Sequence, residues 1–334
     1  MTILEAPIHP GAEATHAAIK RIEAIAVSLP LTKPMKMAGV LISSADNVLV
    51  KVELDSGHTG WGEAASQQVP DFSGMWAHPS LPGMEPMASG PTSLVNLSRR
   101  NGRSNVLQLV GDYHNPILKP EAAAIVKKRG EESLDHFGFH NPRNQCWPNG
   151  VPFVLPSAGM EMFQQSDHIT IHYLVDHQVR HVRLNAQHPA KITPSWYGDS
   201  VAHYEGDTLV IDTVGIKAGP FAMVDWYGTP QSPALHVIER YRLISYEEAQ
   251  EGYARDAKEN ARNQQEFDPD YRGPVLQLLF TVDDPNVFTA PWSATVTYRH
   301  MTQDQWLENV CAENPRKYGT EEDAQVPTAK VPDF

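Results

Sequence analysis

The strongest constraint on the fold of this chain is the run of short, alternating segments that fills residues 167–314. HITIHYLV and QVRHVRLN flank Asp176-His177, and SVAHY and TLVIDTVGI flank Glu205-Gly206-Asp207. ALHVIERYRLI, VLQLLFTVDD, WSATVTYRHM and WLENVCAEN follow. Apolar residues recur at every second position, and polar turn residues separate the segments. That is the pattern of half-buried strands joined by hairpins. About eight such strands predict a mainly β fold, a sandwich or a closed barrel. The expectation taken forward is an antiparallel, calycin/lipocalin-like β-barrel over residues 157–314. A charged helical insertion interrupts it at residues 246–263.

The upstream third is organised differently. Residues 1–18 are rich in Ala, Pro and His without periodicity and read as a flexible tail. Residues 19–65 read as a small N-terminal β-meander. Ile22, Ala24 and Ala26 alternate along its first strand, and Val48, Val50, Val52 and Leu54 share one face of the second. A turn at Asp55-Ser56-Gly57 leads into a short return strand. Residues 29–39, holding Pro30 and Pro34, read as a loop. Residues 66–156 are rich in Pro, Gly, Asn and Ser, with one helix at 120–129 opened by Pro120 and stopped by Gly130. They are expected to form a long arm wrapping the β domain, anchored by Phe72, Trp76, Tyr113 and Trp147. Residues 315–334 read as a polar C-terminal tail.

Charge narrows the partners. With 27 Lys+Arg against 40 Asp+Glu the formal charge is −13, which disfavours nucleic acid and anionic membrane as partners. No apolar run is long enough to span a bilayer. The two cysteines, Cys146 and Cys311, form no C-x-x-C pair; this rules out a thiolate zinc motif and leaves a disulfide and free thiols both open. The N-terminus shows no basic segment followed by an apolar stretch, so a cytoplasmic location is expected.

Residues 19–64 resemble the N-terminal cap segment of the mandelate racemase/muconate lactonizing enzyme branch of the enolase superfamily. The resemblance is carried by Arg21-Ile22-Glu23, Leu29-Pro30-Leu31, Lys33-Pro34, Ala45-Asp46-Asn47-Val48-Leu49-Val50 and Gly60-Trp61-Gly62-Glu63-Ala64. It implies the first meander of a capping domain, with residues 29–39 closing over substrate. In that family the chemistry resides in a following β/α barrel, with a Lys-x-Lys base and three carboxylates holding magnesium. Downstream of Ala65 there is no βαβ alternation and no Lys-x-Lys; Lys127-Lys128 alone comes near. No enolase-superfamily activity is therefore expected of the whole chain.

Histidine is the unusual residue, 15 in all. His168, His172, His177, His181, His188 and His203 fall in one segment. With Asp176-His177 as a two-residue turn, His172 faces His181 and Thr170 faces Arg183, while Ile169, Ile171, Val182 and Leu184 share the other side. If the polar side lines a lumen, His172 and His181 can act as acid and base or hold a divalent metal, and Arg183 can hold a carboxylate. If it points outward it is a solvated sheet face. Apart from such a metal, no cofactor is expected.

A second cluster comprises His188-Pro189, Trp196-Tyr197-Gly198-Asp199-Ser200, His203, Asp212, His236 and Glu239. Aromatic bodies beside a few polar groups suit the wall of a small-molecule pocket. Asp212 interrupts an apolar strand, where a carboxylate is either paired or functional. Ser200 lacks the G-x-S-x-G elbow. H-E-x-x-H, a phosphate loop and G-x-G-x-x-G are absent. Asn96-Leu97-Ser98 is a formal glycosylation pattern.

Residues 67–334 resemble an uncharacterised family of bacterial, often exported, β-rich proteins. That resemblance rests on Asp71-Phe72-Ser73-Gly74-Met75-Trp76, Asn144-Gln145-Cys146-Trp147-Pro148, His188-Pro189, Glu205-Gly206-Asp207-Thr208-Leu209-Val210 and Cys311-Ala312-Glu313-Asn314, among others. It implies no reaction. The resulting expectation is a small-molecule-binding β-barrel protein acting as a lyase, isomerase or hydrolase. His172, His181, Asp212 and His236 would be catalytic, and Arg183, Trp196, Tyr197, Asp199 and Glu239 would bind substrate. The alternative is a non-catalytic ligand-binding or structural module, and self-association stays open.

Overall fold

The computed structural model describes residues 18–37, 40–65, 69–78, 80–135, 138–157, 159–262 and 270–301. The chain divides into two compact units, Met1–Gln68 and Val69–Phe334. In the first, β1 (Ile19–Met37), β2 (Val40–Leu54) and β3 (Thr59–Ala65) form an antiparallel sheet in that order. Ala24 lies opposite Val50, and Val50 opposite Gly62. Ile22, Ala24 and Ala26 thus share a face with Val48, Val50 and Val52, as the alternation predicts. Of the expected loop at residues 29–39, residues 29–37 instead continue β1; residues 38–39 lie outside the described residues. Pairing lapses after Pro30 and resumes at Met35 opposite Ile42. An edge strand tolerates this, because a proline there withholds no ladder donor from a second neighbour.

The second unit carries β4 (Gly74–Ala77), β5 (Ser80–Leu81), β6 (Glu85–Pro86), β7 (Arg99–Arg100), β8 (Arg103–Ser104) and α1 (Pro120–Asp135). Then come β9 (Gly159–Gln164), β10 (His168–Tyr173), β11 (Val179–Leu184), β12 (Asp199–Glu205), β13 (Thr208–Val214) and β14 (His236–Ile244). The described chain ends with α2 (Tyr246–Glu259), β15 (Ala261–Arg262), β16 (Val275–Asp283), β17 (Trp292–Thr297) and β18 (Arg299–His300). Eleven strands make one sheet in the order β18-β4-β9-β10-β11-β12-β13-β14-β16-β17-β6, curled into a half-barrel. The pairing is mainly antiparallel, with one exception. β11 and β12 run parallel, because residues 185–198 carry the chain back along the sheet before β12 begins. The strand expected in WLENVCAEN lies outside the described residues.

Side chains alternate as the sequence patterns predict. Ile169, Ile171 and Tyr173 of β10, Leu209 and Ile211 of β13, Val237 and Tyr241 of β14, and Leu278, Phe280 and Val282 of β16 are buried in one core. The core also takes Phe72, Trp76, Ile117, Val126, Val151 and Leu155 from residues preceding β9. Fully burying each large apolar side chain contributes roughly 1.5–3 kcal/mol, so this face anchors the sheet. Phe72 is tied to it further by its N–H donating to Gln164 Oε1 at 2.9 Å.

Both helices depart from their expected ends. α1 continues through Gly130, where a Cβ would meet Val110 Cγ1 at 3.0 Å; this glycine admits a neighbour and does not terminate the helix. α2 begins at its Ser245 cap, which accepts from the Glu248 N–H, and ends at Glu259 instead of residue 263. Asn260 explains the early stop. Its amide donates to Met84 O and Asp256 Oδ1 and accepts from the Gly83 N–H, which draws residues 261–262 into pairing with β5.

Candidate functional site

The face of β12–β14 turned away from the core carries a row of linked charged groups. Asp212 of β13 stands opposite Val201 and Ile238, while Asp199 stands opposite Val214 and His236 opposite Asp283. This parity turns both carboxylates and the imidazole to the half-exposed side. His188, from the connection between β11 and β12, reaches across them. Its Nδ1 lies 2.6 Å from Asp199 Oδ1 and its Nε2 3.2 Å from Asp212 Oδ1. His236 Nε2 is 2.8 Å from the same Asp212 oxygen. At the other end, Arg183 donates from one guanidinium nitrogen to both Asp199 oxygens at 2.7 and 2.9 Å. The row therefore reads Arg183, Asp199, His188, Asp212, His236. The sequence singles out four of these as site residues. His188, the link between the two carboxylates, is the one it leaves out of the site, although the second cluster contains it.

A carboxylate that holds one imidazole nitrogen fixes the ring and leaves the other nitrogen to face a reacting group. His236 Nε2 is the nitrogen on Asp212, and its Nδ1 has no partner among the described residues. Asp212 is 37% exposed and His236 36%, open enough for a ligand to reach them.

The remaining expected residues scatter. Thr170 faces His181, His168 faces Arg183, and His172 faces Val179, so His172 and His181 are not partners. The reason is the connection: residues Val175–His177 form a 3₁₀ turn, with His177 at φ 48°, and the register moves by two residues. An even shift preserves the faces, so the imidazoles stay on the polar side while Ile169, Ile171 and Val182 stay in the core. His172 instead lies 5.5 Å from the His177 ring. Trp196 packs on Trp147 at 5.0 Å, with the Lys217 ammonium 4.7 Å over its ring. Tyr197 stacks on Tyr173 at 5.6 Å. Glu239 is not on the row at all, because its parity on β14 turns it into the core.

There Glu239 meets a residue the sequence reading passed over. Arg180 is fully buried and holds Glu239 with two bonds, NH2 to Oε1 at 2.7 Å and NH1 to Oε2 at 3.0 Å. Its remaining donors go to Thr213 Oγ1 at 2.7 Å, Ser200 Oγ at 3.1 Å and Tyr173 OH at 3.4 Å. Tyr241 OH donates to Glu239 Oε2 at 2.8 Å. Every guanidinium donor is engaged, as a buried charge requires. Burial works against the Arg180 charge, and the Glu239 carboxylate outweighs it and holds the guanidinium protonated. Burial also pushes the Tyr173 and Tyr241 phenols up. The signal was available: Arg180 shares the inward parity of Val182.

Other candidates resolve plainly. Ser200 is buried in the Arg180 network, a place for a hydrogen bond and not for a nucleophile. Asn96 is buried and its amide donates to Ser104 Oγ and Asn105 O, so the glycosylation pattern at this residue is structural. Cys146 is disulfide-bonded; Cys311 lies outside the described residues. Among the described residues no three His, Cys, Asp or Glu side chains converge as a metal site, and no helix is long and apolar enough to cross a membrane.

No family model matches the chain, and no solved structure matches it. A 46-residue stretch is 48% identical to the L-Ala-D/L-Glu epimerase of Bacillus subtilis (strain 168). The match covers 14% of this chain and 13% of that protein. It supports a short segment similar to the N-terminal part of mandelate racemase/muconate lactonizing enzymes, and reaches no further.

Proposed function

We propose that the unit from Val69 onward is a small-molecule-binding β-barrel protein, with the row from Arg183 to His236 as its reactive face. The observation that carries this reading is the Asp212–His236 contact at 2.8 Å, extended through His188 to Asp199 and Arg183. In this reading His236 Nδ1 takes a proton from the bound molecule and can return it, while Asp212 steadies the ring and His188, held by carboxylates at both nitrogens, ties Asp212 to Asp199. Arg183, at the end of the row, draws an anionic group. The substrate class is a small, partly apolar anion, and the chemistry is that of a lyase, isomerase or hydrolase. Closure of the barrel is supported by residues 292–301. Tyr298 N donates to Leu276 O of β16, and Met301 N to Met75 O of β4, each at 2.9 Å, so one segment bridges strands near opposite ends of the strand order. The epimerase's activity is not carried over, since the match spans 13% of that protein.

The alternative, a non-catalytic module, draws support from the filled core and the complete hydrogen bonding of Arg180. Protein-observed NMR of the histidine rings, titrated with a library of carboxylates, esters and lactones, separates the two. The proposal expects ligands that shift the His236 and His188 ring signals, and a turnover that His236→Gln and Asp212→Asn abolish while the fold persists. Binding that leaves those signals unmoved, or turnover unchanged in both variants, refutes it.

A further inference from the structure

We propose that the β7–β8 hairpin is a docking site for an acidic, partly apolar polypeptide segment. The hairpin is Ser98-Arg99-Arg100-Asn101-Gly102-Arg103-Ser104. Asn101 at φ 54° and Gly102 at φ 76° make the two-residue turn, both with the positive φ that a tight right-twisted hairpin needs. Its base is pinned by Asn96 Nδ2 on Ser104 Oγ at 2.9 Å, Asn105 N on Ser98 O at 3.0 Å, and Asn105 Nδ2 on Gln108 Oε1 at 3.0 Å. The tip is therefore a held feature of the surface.

Its charges are arranged for something outside it. Arg100 and Arg103 stand directly opposite each other across the strands and share a face. Both are exposed, and among the described residues neither has an ion-pair or hydrogen-bond partner. Arg99, of the opposite parity, is taken by Glu259 at 2.9 Å. Like charges directly opposite on a strand pair destabilise it. The Arg100/Arg103 pair thus costs the hairpin stability, and an anion bridging the two guanidinium forks relieves that cost. Carboxylates fit these planar donors through two parallel bonds. Exposed apolar side chains border the base: Leu97 at 44% and Leu107 at 48% exposure, with Val106 beside them. Glutamates or aspartates among leucine-like residues complement both parts.

The occupant is a short segment because of the rest of the chain. At a formal −13 the body repels an extended polyanion such as nucleic acid or an anionic bilayer. A short acidic segment feels mainly charges within about 8 Å at physiological salt, and the tip supplies the cations there. This inference is independent of the row on β12–β14.

The test uses the full chain and a short fluorescein-labelled peptide alternating glutamate and leucine, read by fluorescence anisotropy. Wild type is expected to bind it with an affinity that falls as salt rises. Replacing both arginines (Arg100→Ala with Arg103→Ala) is expected to weaken binding about tenfold and to leave Tm unchanged or higher. Replacing both with lysine gives intermediate affinity, and carries the test if the alanine pair fails to fold. Equal affinity of wild type and the alanine pair overturns the proposal, as does absence of peptide binding. Binding to phosphatidylserine vesicles without binding to the peptide overturns it in favour of a membrane surface.

Discussion

Glu85 offers the sharpest test of the tertiary structure, through stability as a function of pH. It is fully buried where β6 meets β17 and α2. Oε1 accepts from the Thr297 N–H at 3.0 Å and Oε2 from Thr297 Oγ1 at 3.2 Å, with Arg255 NH2 3.6 Å away. Burial raises its pKa from 4.5 to about 7 against the lowering hydrogen bonds from Thr297; Asp256 raises it further and Arg255 lowers it. The folded state then binds a proton that the unfolded state has released, between pH 4.5 and about 7. Stability must fall as pH rises through that window and level off above it. At 1.36 kcal/mol per unit the loss is about 3 kcal/mol. Glu85→Gln keeps the shape and the acceptor for the Thr297 N–H while removing the titration. Urea denaturation of both proteins from about pH 4 to about pH 8 gives the comparison, and the difference between them cancels the other titrating groups. Near the acid end the variant should match wild type, and at the basic end it should be more stable by about 3 kcal/mol. A difference that stays flat across that range refutes the reasoning.

The Arg180–Glu239 pair predicts strong non-additivity. Arg180→Met alone strands a buried carboxylate and should cost about 3–5 kcal/mol, whereas Arg180→Met with Glu239→Leu should cost much less; denaturant melts of the cycle check this. Gly252→Ala should destabilise by about 1–3 kcal/mol, since its Cβ would run into Thr297 Oγ1. Faster amide exchange in α2 is the matching observation. For the β10–β11 register, a cysteine pair at His172 and Val179 should oxidise readily, and a pair at His172 and His181 should not. Thiol titration after mild oxidation distinguishes them.

How far the candidate site was legible varies residue by residue. Asp212 stood out because a carboxylate in an apolar strand needs a partner, and it has two, His188 and His236. Trp196 and Tyr197 were found as aromatics beside Gly198 and Asp199. They divide, however: Trp196 packs on Trp147 and Tyr197 on the buried Tyr173. His172 and His181 were paired by assuming a two-residue turn, and the 3₁₀ turn at Val175–His177 moved each to a new partner. Arg180 is a charged residue between Val179 and His181 on β11, so only its shared parity with Val182 marks it as buried.

What the chain determines by itself is the face each strand residue takes, since that parity belongs to the residue's own extended backbone. Hence Ile169, Ile171 and Val182 entered the core and His168 and His181 did not, whatever the register. Which strands become neighbours depends on how connections return through space and on which apolar faces they can bury together. That alone set β12 parallel to β11, brought Glu239 to Arg180 across 59 positions, and laid His188 between carboxylates 11 and 24 positions away.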